Sequence, residues 1–267
     1  MKLEVHHIRA LKGKRQLVQL NVTGTDHARA AEAAGIDMIV SGRMAERAAI
    51  PAAAPNTHFT FGLIYGRYVN ADEAKRAAFE ALEAGADSIY CAMSTEVIAA
   101  MAREGVPVVG HVGLVPQKAR LTGYRGFGKT LAEAQELMRT VRRYEDAGAF
   151  AIELEVVAEP IASAIAAATP LTVISMGSGP GCDAQYLFAV DVLGETIGRI
   201  PRHARRYENF ADEFTRLHDR RVAAFKAFRS DVFEERFPSQ REIVAADTDT
   251  ITAFQDWLGQ RFNKTEA

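Results

Sequence analysis

Two ionisable side chains stand inside apolar segments of the chain, where a charge is costly unless it is paired or used. His111 follows the apolar run of PVVGHVG, between two glycines that leave space beside its ring, and Glu155 interrupts the run FAIELEVV. An imidazole can donate, accept or shuttle a proton near neutral pH. A buried carboxyl group with a raised pKa suits a general base. The two residues are therefore candidates for proton transfer.

Both assignments have structural alternatives. His111 could instead hold a loop carbonyl in place. Glu153 and Glu155 point to the same face of a regular strand, because side chains alternate with a period of two, so one of them could serve only as a salt-bridge partner. The segment SMGSGPGCDAQ, which contains Ser178, could bring backbone amides close to a phosphate or carboxylate, or form a plain tight turn.

The composition of the chain limits the classes of protein to which it can belong. The chain has 267 residues with 48% hydrophobic and 25% charged residues, which is typical of a globular protein with a large core. A formal net charge of -2 gives no electrostatic reason to bind nucleic acid or an anionic membrane. Two cysteines cannot form a disulfide framework, and the first residues contain no apolar stretch typical of a signal peptide. We therefore expect a cytoplasmic protein that acts on small molecules.

A repeated unit of alanine-rich amphipathic helix, glycine and short apolar strand predicts parallel βα units. Its clearest instances are residues 28–42, 80–93, 99–113 and 142–157, in which Gly35, Gly85, Gly105 and Gly148 end the helices. Continuous apolar runs predict further strands over 16–22, 58–65 and 171–177, with the weakest, eighth strand over 186–193. Because no GxGxxG follows the first strand, a (β/α)8 TIM-type barrel is favoured over an open doubly wound sheet.

The end of the chain predicts a C-terminal helical extension. After Pro201 the sequence becomes basic and amphipathic, which indicates one or two helices that close the barrel or pack on a neighbouring subunit. We assign residues 1–242 to the barrel domain with these closing helices. Residues 243–267, which contain the single tryptophan, are assigned to a docking helix and tail.

In such a barrel the reactive side chains lie at the carboxyl ends of the strands, where the loops converge over the axis. This placement selects a set of candidates in chain order: Asn21, Thr23, Arg43, Tyr65, Arg67, Tyr90, Cys91, His111, Glu153, Glu155 and Ser178. No cluster of cysteine and histidine typical of a zinc site is present in the sequence.

Two longer segments carry a common pattern: GVPVVGHVGLVPQ with the residues that follow it to ELEVV, and ISMGSGPGCDAQYLFAVDVLG. Together they resemble the ketopantoate (3-methyl-2-oxobutanoate) hydroxymethyltransferase family of the phosphoenolpyruvate mutase/isocitrate lyase superfamily. The resemblance implies a (β/α)8 barrel in a homo-oligomer, a decamer in the family, that acts in pantothenate biosynthesis. It implies transfer of a one-carbon unit from 5,10-methylenetetrahydrofolate to C3 of 3-methyl-2-oxobutanoate, with magnesium polarising the 2-oxo acid. By motif, His111 matches the family's active-site histidine in GHxGLxPQ, and Glu155 matches its catalytic glutamate.

The family's metal ligands are not matched. Its segments VGDS, ADLPF and KLEGG, which carry the ligands, correspond here to residues 40–43, 61–65 and 90–94, which contain no carboxylate. Magnesium prefers hard oxygen ligands, so we expect no metal site. Arg43, with Arg67, could bind the substrate carboxylate in its place, unless both are surface arginines. Ser41, Gly42, Tyr90 and Ser178 complete the substrate-binding candidates.

The sequence therefore predicts a divergent hydroxymethyltransferase-like enzyme that forms or breaks a C–C bond adjacent to the carbonyl of a small 2-oxo acid. Glu155 would move the proton, His111 would orient or protonate the reacting oxygen, and Arg43 would hold the acid. The folate co-substrate is implied by the resemblance alone. Two alternatives stay open: a C–C lyase or hydrolase of the wider superfamily, and a catalytically silent homologue that binds a metabolite.

Overall fold

Eight parallel strands form a closed barrel in chain order, with the last strand paired to the first. The computed structural model describes residues 2–42 and 44–262. The strands are β1 (Leu17–Asn21), β2 (Met38–Ser41), β3 (His58–Gly62), β4 (Ser88–Tyr90), β5 (Val108–Gly113), β6 (Ala151–Glu155), β7 (Thr172–Met176) and β8 (Ala184–Phe188). The predicted (β/α)8 TIM-type barrel is confirmed.

One helix precedes β1, helices connect the strands up to β7, and further helices follow β8. They are α1 (Val5–Leu11), α2 (Thr25–Ala33), α3 (Ala49–Ala53), α4 (Ala71–Glu83), α5 (Thr95–Ala102), α6 (Ala119–Thr122), α7 (Leu131–Asp146), α8 (Glu159–Ala168), α9 (Ala189–Val192), α10 (Phe210–Phe233) and α11 (Thr248–Phe262). The four glycines expected to end helices, Gly35, Gly85, Gly105 and Gly148, all adopt positive φ. That conformation favours glycine, since other residues pay a steric cost there.

The predicted eighth strand was wrong in its boundaries. The prediction covered residues 186–193, whereas β8 ends at Phe188 and Ala189–Val192 form a helical turn. A short apolar run does not distinguish a buried strand from a buried helix, so the pattern alone could not place the boundary. β3 likewise ends at Gly62, three residues before the predicted end.

Two apolar clusters lie on the two faces of the strands. One cluster, inside the barrel, includes Met38, Val40 and Ile174, and the other, between barrel and helices, includes Ile39 and Ile152. Alternation along β6 therefore directs residues 151, 153 and 155 into the barrel. The side chains at the carboxyl ends of the strands reach a common mouth.

The chain divides into two compact units, the first ending at Ala211 and the second beginning at Asp212. The second unit contains α11 and most of α10, in which no residue is buried. The assignment of residues 243–267 to a docking segment stays a prediction. Among the described helices, none has the length and apolar character needed to cross a membrane.

Candidate active site

A cavity of about 490 Å³ opens at the mouth of the barrel. One side of the cavity is lined by polar residues and the other by apolar residues. The polar side includes Asn21, Tyr90, His111, Glu153, Glu155 and Tyr186, and the apolar side includes Leu63, Ile64, Met176 and Phe188. A cavity of this size with a few convergent polar groups is typical of a small-molecule site.

His111 is buried at the bottom of this cavity and is held through both ring nitrogens. Its Nε2 lies 2.8 Å from the carbonyl oxygen of Leu114, and its Nδ1 lies 2.7 Å from the hydroxyl of Tyr90. A carbonyl oxygen can only accept, so Nε2 carries a hydrogen, and in the neutral ring Nδ1 accepts from Tyr90. His111 therefore binds a loop carbonyl, which was the structural alternative to a role in proton transfer. It also lines the cavity.

Two buried carboxylates flank the imidazole. Glu153 and His111 are register partners on β6 and β5, and Glu153 Oε2 lies 3.5 Å from Nδ1. Glu155 Oε2 lies 3.2 Å from Nε2. Burial raises the pKa of Glu153 from 4.5 to about 7, with a further increase from the charge of Glu155 and an opposing effect of His111. Within this cluster of Glu153, His111 and Glu155, Glu153 can therefore exchange a proton near neutral pH.

Two phenol groups face the same cavity as neutral donors. Burial raises the pKa values of Tyr90 and Tyr186 well above 10, and the charge of Glu153 adds to both shifts. Tyr90 donates to His111. Tyr186 accepts a hydrogen bond from the Asn21 amide at 3.4 Å, which leaves its own hydroxyl hydrogen to point to a ligand. Tyr186 is thus suited to donate to an oxyanion.

Gly110 and Gly113 were expected to leave space beside the His111 ring, but both pack closely against neighbouring residues. A Cβ on Gly110 would lie 2.4 Å from the ring of Tyr144, whose hydroxyl donates to the His111 carbonyl oxygen at 3.0 Å. A Cβ on Gly113 would lie 2.3 Å from the Glu155 carbonyl oxygen, and Gly113 has a φ of 90°. The glycines therefore fix the backbone of β5 against its neighbours rather than leaving open space beside the ring.

The structure brings seven of the predicted site residues together at the cavity. They are Asn21, Gly42, Tyr65, Tyr90, His111, Glu153 and Glu155. Arg43 lies outside the described residues. Arg67 is exposed and is not among the described residues that line the cavity.

Ser41 and Ser178 are buried away from the cavity. Ser41 stands at the position of β2 that alternates with the inward-facing Val40 and Gly42. Ser178 Oγ donates to the Leu154 carbonyl oxygen at 2.7 Å and accepts from the Val157 amide at 3.0 Å. These bonds join the ends of β6 and β7, so Ser178 has a structural role. In the following turn, Gly179 packs on Glu159 and Gly181 on Ser163, as in a plain tight turn.

Sequence reasoning missed four polar residues of the site. Gln117, Tyr186 and His203 line the cavity, and Gln19 Nε2 donates to Glu153 Oε1 at 3.3 Å. Tyr186 lay in the weakest predicted strand, where correct boundaries would have placed it on the inward face with Ala184 and Phe188. His203 lies in a segment that was predicted to be helical from residue 202, and that prediction was wrong. The structure has turns there, and α10 begins only at Phe210.

A comparison with known families decides the membership of this chain. The family model of ketopantoate hydroxymethyltransferase matches residues 43–240. The 3-methyl-2-oxobutanoate hydroxymethyltransferase of Thermotoga neapolitana is 30% identical over 266 residues, which covers 90% of this chain and 96% of that protein. The chain belongs to the ketopantoate hydroxymethyltransferase family. The family's enzymes are named for hydroxymethyl transfer.

Solved structures agree with the fold. 2,3-Dimethylmalate lyase, a member of the PEP mutase/isocitrate lyase superfamily, is 14% identical with a TM-score of 0.51, covering 97% of this chain and 100% of that chain. Phosphonopyruvate hydrolase in complex with oxalate and Mg²⁺ is 16% identical with a TM-score of 0.53, covering 98% and 100%. At these identities the likeness concerns the barrel alone.

The donor groups of this member do not fit the magnesium expected for ketopantoate hydroxymethyltransferases. The described ends of β2, β3 and β4 present Gly42, Gly62 and Tyr90 to the cavity. The two lining carboxylates, Glu153 and Glu155, lie on one strand and both contact His111. Magnesium needs several oxygen ligands in octahedral geometry. Within the described part of the chain, the one grouping of three metal-binding side chains is Glu4, His6 and His7, outside the cavity lining.

Proposed function

We propose that the protein forms or breaks a C–C bond next to the carbonyl of a small 2-oxo acid, by hydroxymethyl or aldol transfer. The observation that supports this most is the cluster of Glu153, His111 and Glu155 in the cavity of a ketopantoate hydroxymethyltransferase relative. Such chemistry needs a base beside the carbon and a donor beside the oxygen. The described residues supply both without a metal ligand set.

Glu155 takes the proton in this proposal. It stands at the carboxyl end of β6, nearer the mouth than Glu153, with its Oε2 held by contact with His111. The C–H bond next to the carbonyl breaks, its proton moves to Glu155, and its electron pair enters the enolate. The Tyr186 hydroxyl donates to the enolate oxygen, and His111 keeps Glu155 and Tyr90 oriented. The enolate carbon then bonds to the carbon of formaldehyde, the C=O π bond of formaldehyde breaks, and the resulting alkoxide takes the proton back from Glu155. With methylenetetrahydrofolate as the source, water first hydrolyses the methylene unit to formaldehyde and free tetrahydrofolate.

Substrate binding and the donor are the further parts of the proposal. Arg43 follows Gly42, which lines the cavity, so its sequence position keeps it a candidate for binding the substrate carboxylate. The 5,10-methylenetetrahydrofolate of the family is carried over as the first donor to test. Breakage of a C–C bond is the alternative reaction that the same residues could perform, and one solved structure with this fold is named a lyase, 2,3-dimethylmalate lyase.

The reaction can be tested with a panel of 2-oxo acids offered with methylenetetrahydrofolate or with formaldehyde, in buffer that contains a metal chelator. We expect a hydroxymethylated product from at least one 2-oxo acid, detected by mass spectrometry. Cleavage of a hydroxylated acid without condensation would instead favour the lyase. Binding of panel members with no turnover in either direction would contradict the proposed function.

We further propose that the protein is a homo-oligomer, as the family's decamer implies. In the second unit, α10 carries the large apolar side chains of Leu217, Phe225 and Phe228 in exposed positions. A helix of 24 residues with no buried residue gains its stability from a partner, and a second copy of the chain is the partner we propose. Light scattering should give a mass of two or more times 29.2 kDa, and a monomer at micromolar concentration would contradict the proposed oligomer.

We also propose that the protein is cytoplasmic. Both cysteines are buried free thiols, which suits the reducing environment of the cytoplasm.

A further inference from the structure

The cavity is acidic, although the substrate proposed for it is an anion. Glu153 and Glu155 face it, and among the described residues that line it there is no lysine or arginine. A 2-oxo acid brings a carboxylate, which gains little from a cavity of its own sign of charge. A basic group at the mouth would offset this repulsion. The described lining contains two imidazoles that could carry charge, His111 and His203.

His111 is already engaged on both sides. Its nitrogens contact Tyr90, the Leu114 carbonyl oxygen and the two carboxylates. Within the described chain, His203 has neither a hydrogen bond nor an ion pair. It is half-buried and borders the cavity. An imidazole in this state keeps both nitrogens available for a ligand.

The position of His203 is set by a glycine at the end of β7. A Cβ on Gly177 would lie 2.5 Å from Cβ and 2.8 Å from Cγ of His203, closer than real Cβ contacts allow. Gly177 also has a φ of 69°, a conformation that favours glycine. The absence of a side chain at this position therefore creates the space in which His203 packs.

This position is close to the proton-transfer group. Met176, which precedes Gly177, is the register partner of Glu155. Neighbouring strands lie about 4.8 Å apart, so the glycine that seats His203 is near the end of the strand that carries Glu155. A small 2-oxo acid has its carboxylate only two bonds from the carbon that would lose the proton. One small ligand can therefore reach Glu155 and His203 together.

We propose that His203 binds the carboxylate of the 2-oxo acid, an inference that rests on the proposed function. An N–H group of the imidazole donates a charge-assisted hydrogen bond to the ionised carboxylate, and Glu155 faces the neighbouring carbon. His203 is a specificity-determining residue: it selects 2-oxo acids over uncharged 2-oxo compounds of the same shape. Because His203 packs against Gly177, this selection also depends on a glycine that does not contact the substrate.

A matched pair of ligands tests this role. 2-Oxobutanoate and 2-oxobutanamide have nearly the same shape and differ in charge, and isothermal titration calorimetry on the full chain gives the Kd of each. We expect the wild type to prefer the anion by about tenfold or more, as one charge-assisted hydrogen bond allows. His203→Gln should remove the preference, His203→Lys should retain it, and Gly177→Ala should weaken it. His6→Gln, at an exposed position of α1 outside the cavity lining, is the control and should change nothing.

Circular dichroism of each variant separates misfolding from lost binding. The proposal is overturned if the wild type shows no preference for the anion, or if folded His203→Gln keeps the full preference. Retained preference in His203→Gln with loss in Arg43→Gln would assign the carboxylate to Arg43 instead. Because the readout is binding, anion selection by His203 without any turnover would contradict the proposed function and leave the role of His203 standing.

Discussion

Replacing Glu155 with glutamine is expected to lower the rate of hydrogen exchange at C3 of a bound 2-oxo acid by about 10²- to 10⁴-fold, the usual contribution of a positioned acid or base. Glutamine keeps the shape of the side chain and its contact with His111 but cannot accept the proton. Exchange in D₂O, followed by NMR, isolates this step because it needs no one-carbon donor. The 2-oxo acid should still bind, so the loss should appear in kcat.

The matched control is Glu96→Gln, which changes an exposed glutamate on α5 and should leave exchange unchanged. Circular dichroism should show both variants folded. Exchange by folded Glu155→Gln at the rate of the wild type would mean that another group takes the proton, and the role given to Glu155 would be wrong.

Replacing Glu153 with glutamine is expected to change the pH profile rather than abolish exchange. In the wild type, kcat/KM should rise from a lower to a higher plateau as the pH passes about 7, because the pKa of Glu153 is raised to about 7. Transfer to Glu155 moves the proton toward the negative charge of ionised Glu153, and the attraction between the two charges favours that movement. Glu153→Gln should lack this step while retaining measurable exchange. An unchanged step near pH 7 in the variant would assign it to another group.

The same substitution should stabilise the protein at alkaline pH. The folded state retains the Glu153 proton up to about pH 7, whereas the unfolded chain releases it near its ordinary pKa of 4.5. The free energy of unfolding therefore falls as the pH rises through that interval, by up to about 3 kcal/mol. Glutamine avoids this cost, so urea denaturation should show a larger gain for Glu153→Gln at about pH 9 than at about pH 5. Equal effects at both pH values would contradict the raised pKa.

Much of the barrel could be predicted because its signals are local. Glycines such as Gly35 and Gly148 end helices at positive φ, and the apolar run that follows each one enters the sheet. The alternation of side chains placed Glu153 and Glu155 on one inward face. Parallel strand order then brought His111 beside Glu153, which sequence spacing alone does not show.

The remaining site residues depend on packing that the sequence does not encode locally. Ser178 follows a predicted strand, yet its hydroxyl is used between β6 and β7. Ser41 faces away from the cavity because side chains alternate along β2 and its neighbours Val40 and Gly42 occupy the inward-facing positions. His203 reaches the cavity from an irregular segment only because Gly177 leaves it space. In each case the deciding contact joins residues that are distant in sequence.

The cluster of Glu153, His111 and Glu155 is expected to move a proton next to the carbonyl of a 2-oxo acid without a metal ion. Its most direct test is NMR measurement of C3 hydrogen exchange of 2-oxobutanoate in D₂O, with and without a strong chelator. Exchange at the same rate in both samples, lost in Glu155→Gln, is the result expected. Exchange that disappears with the chelator and returns with added Mg²⁺ would contradict the claim.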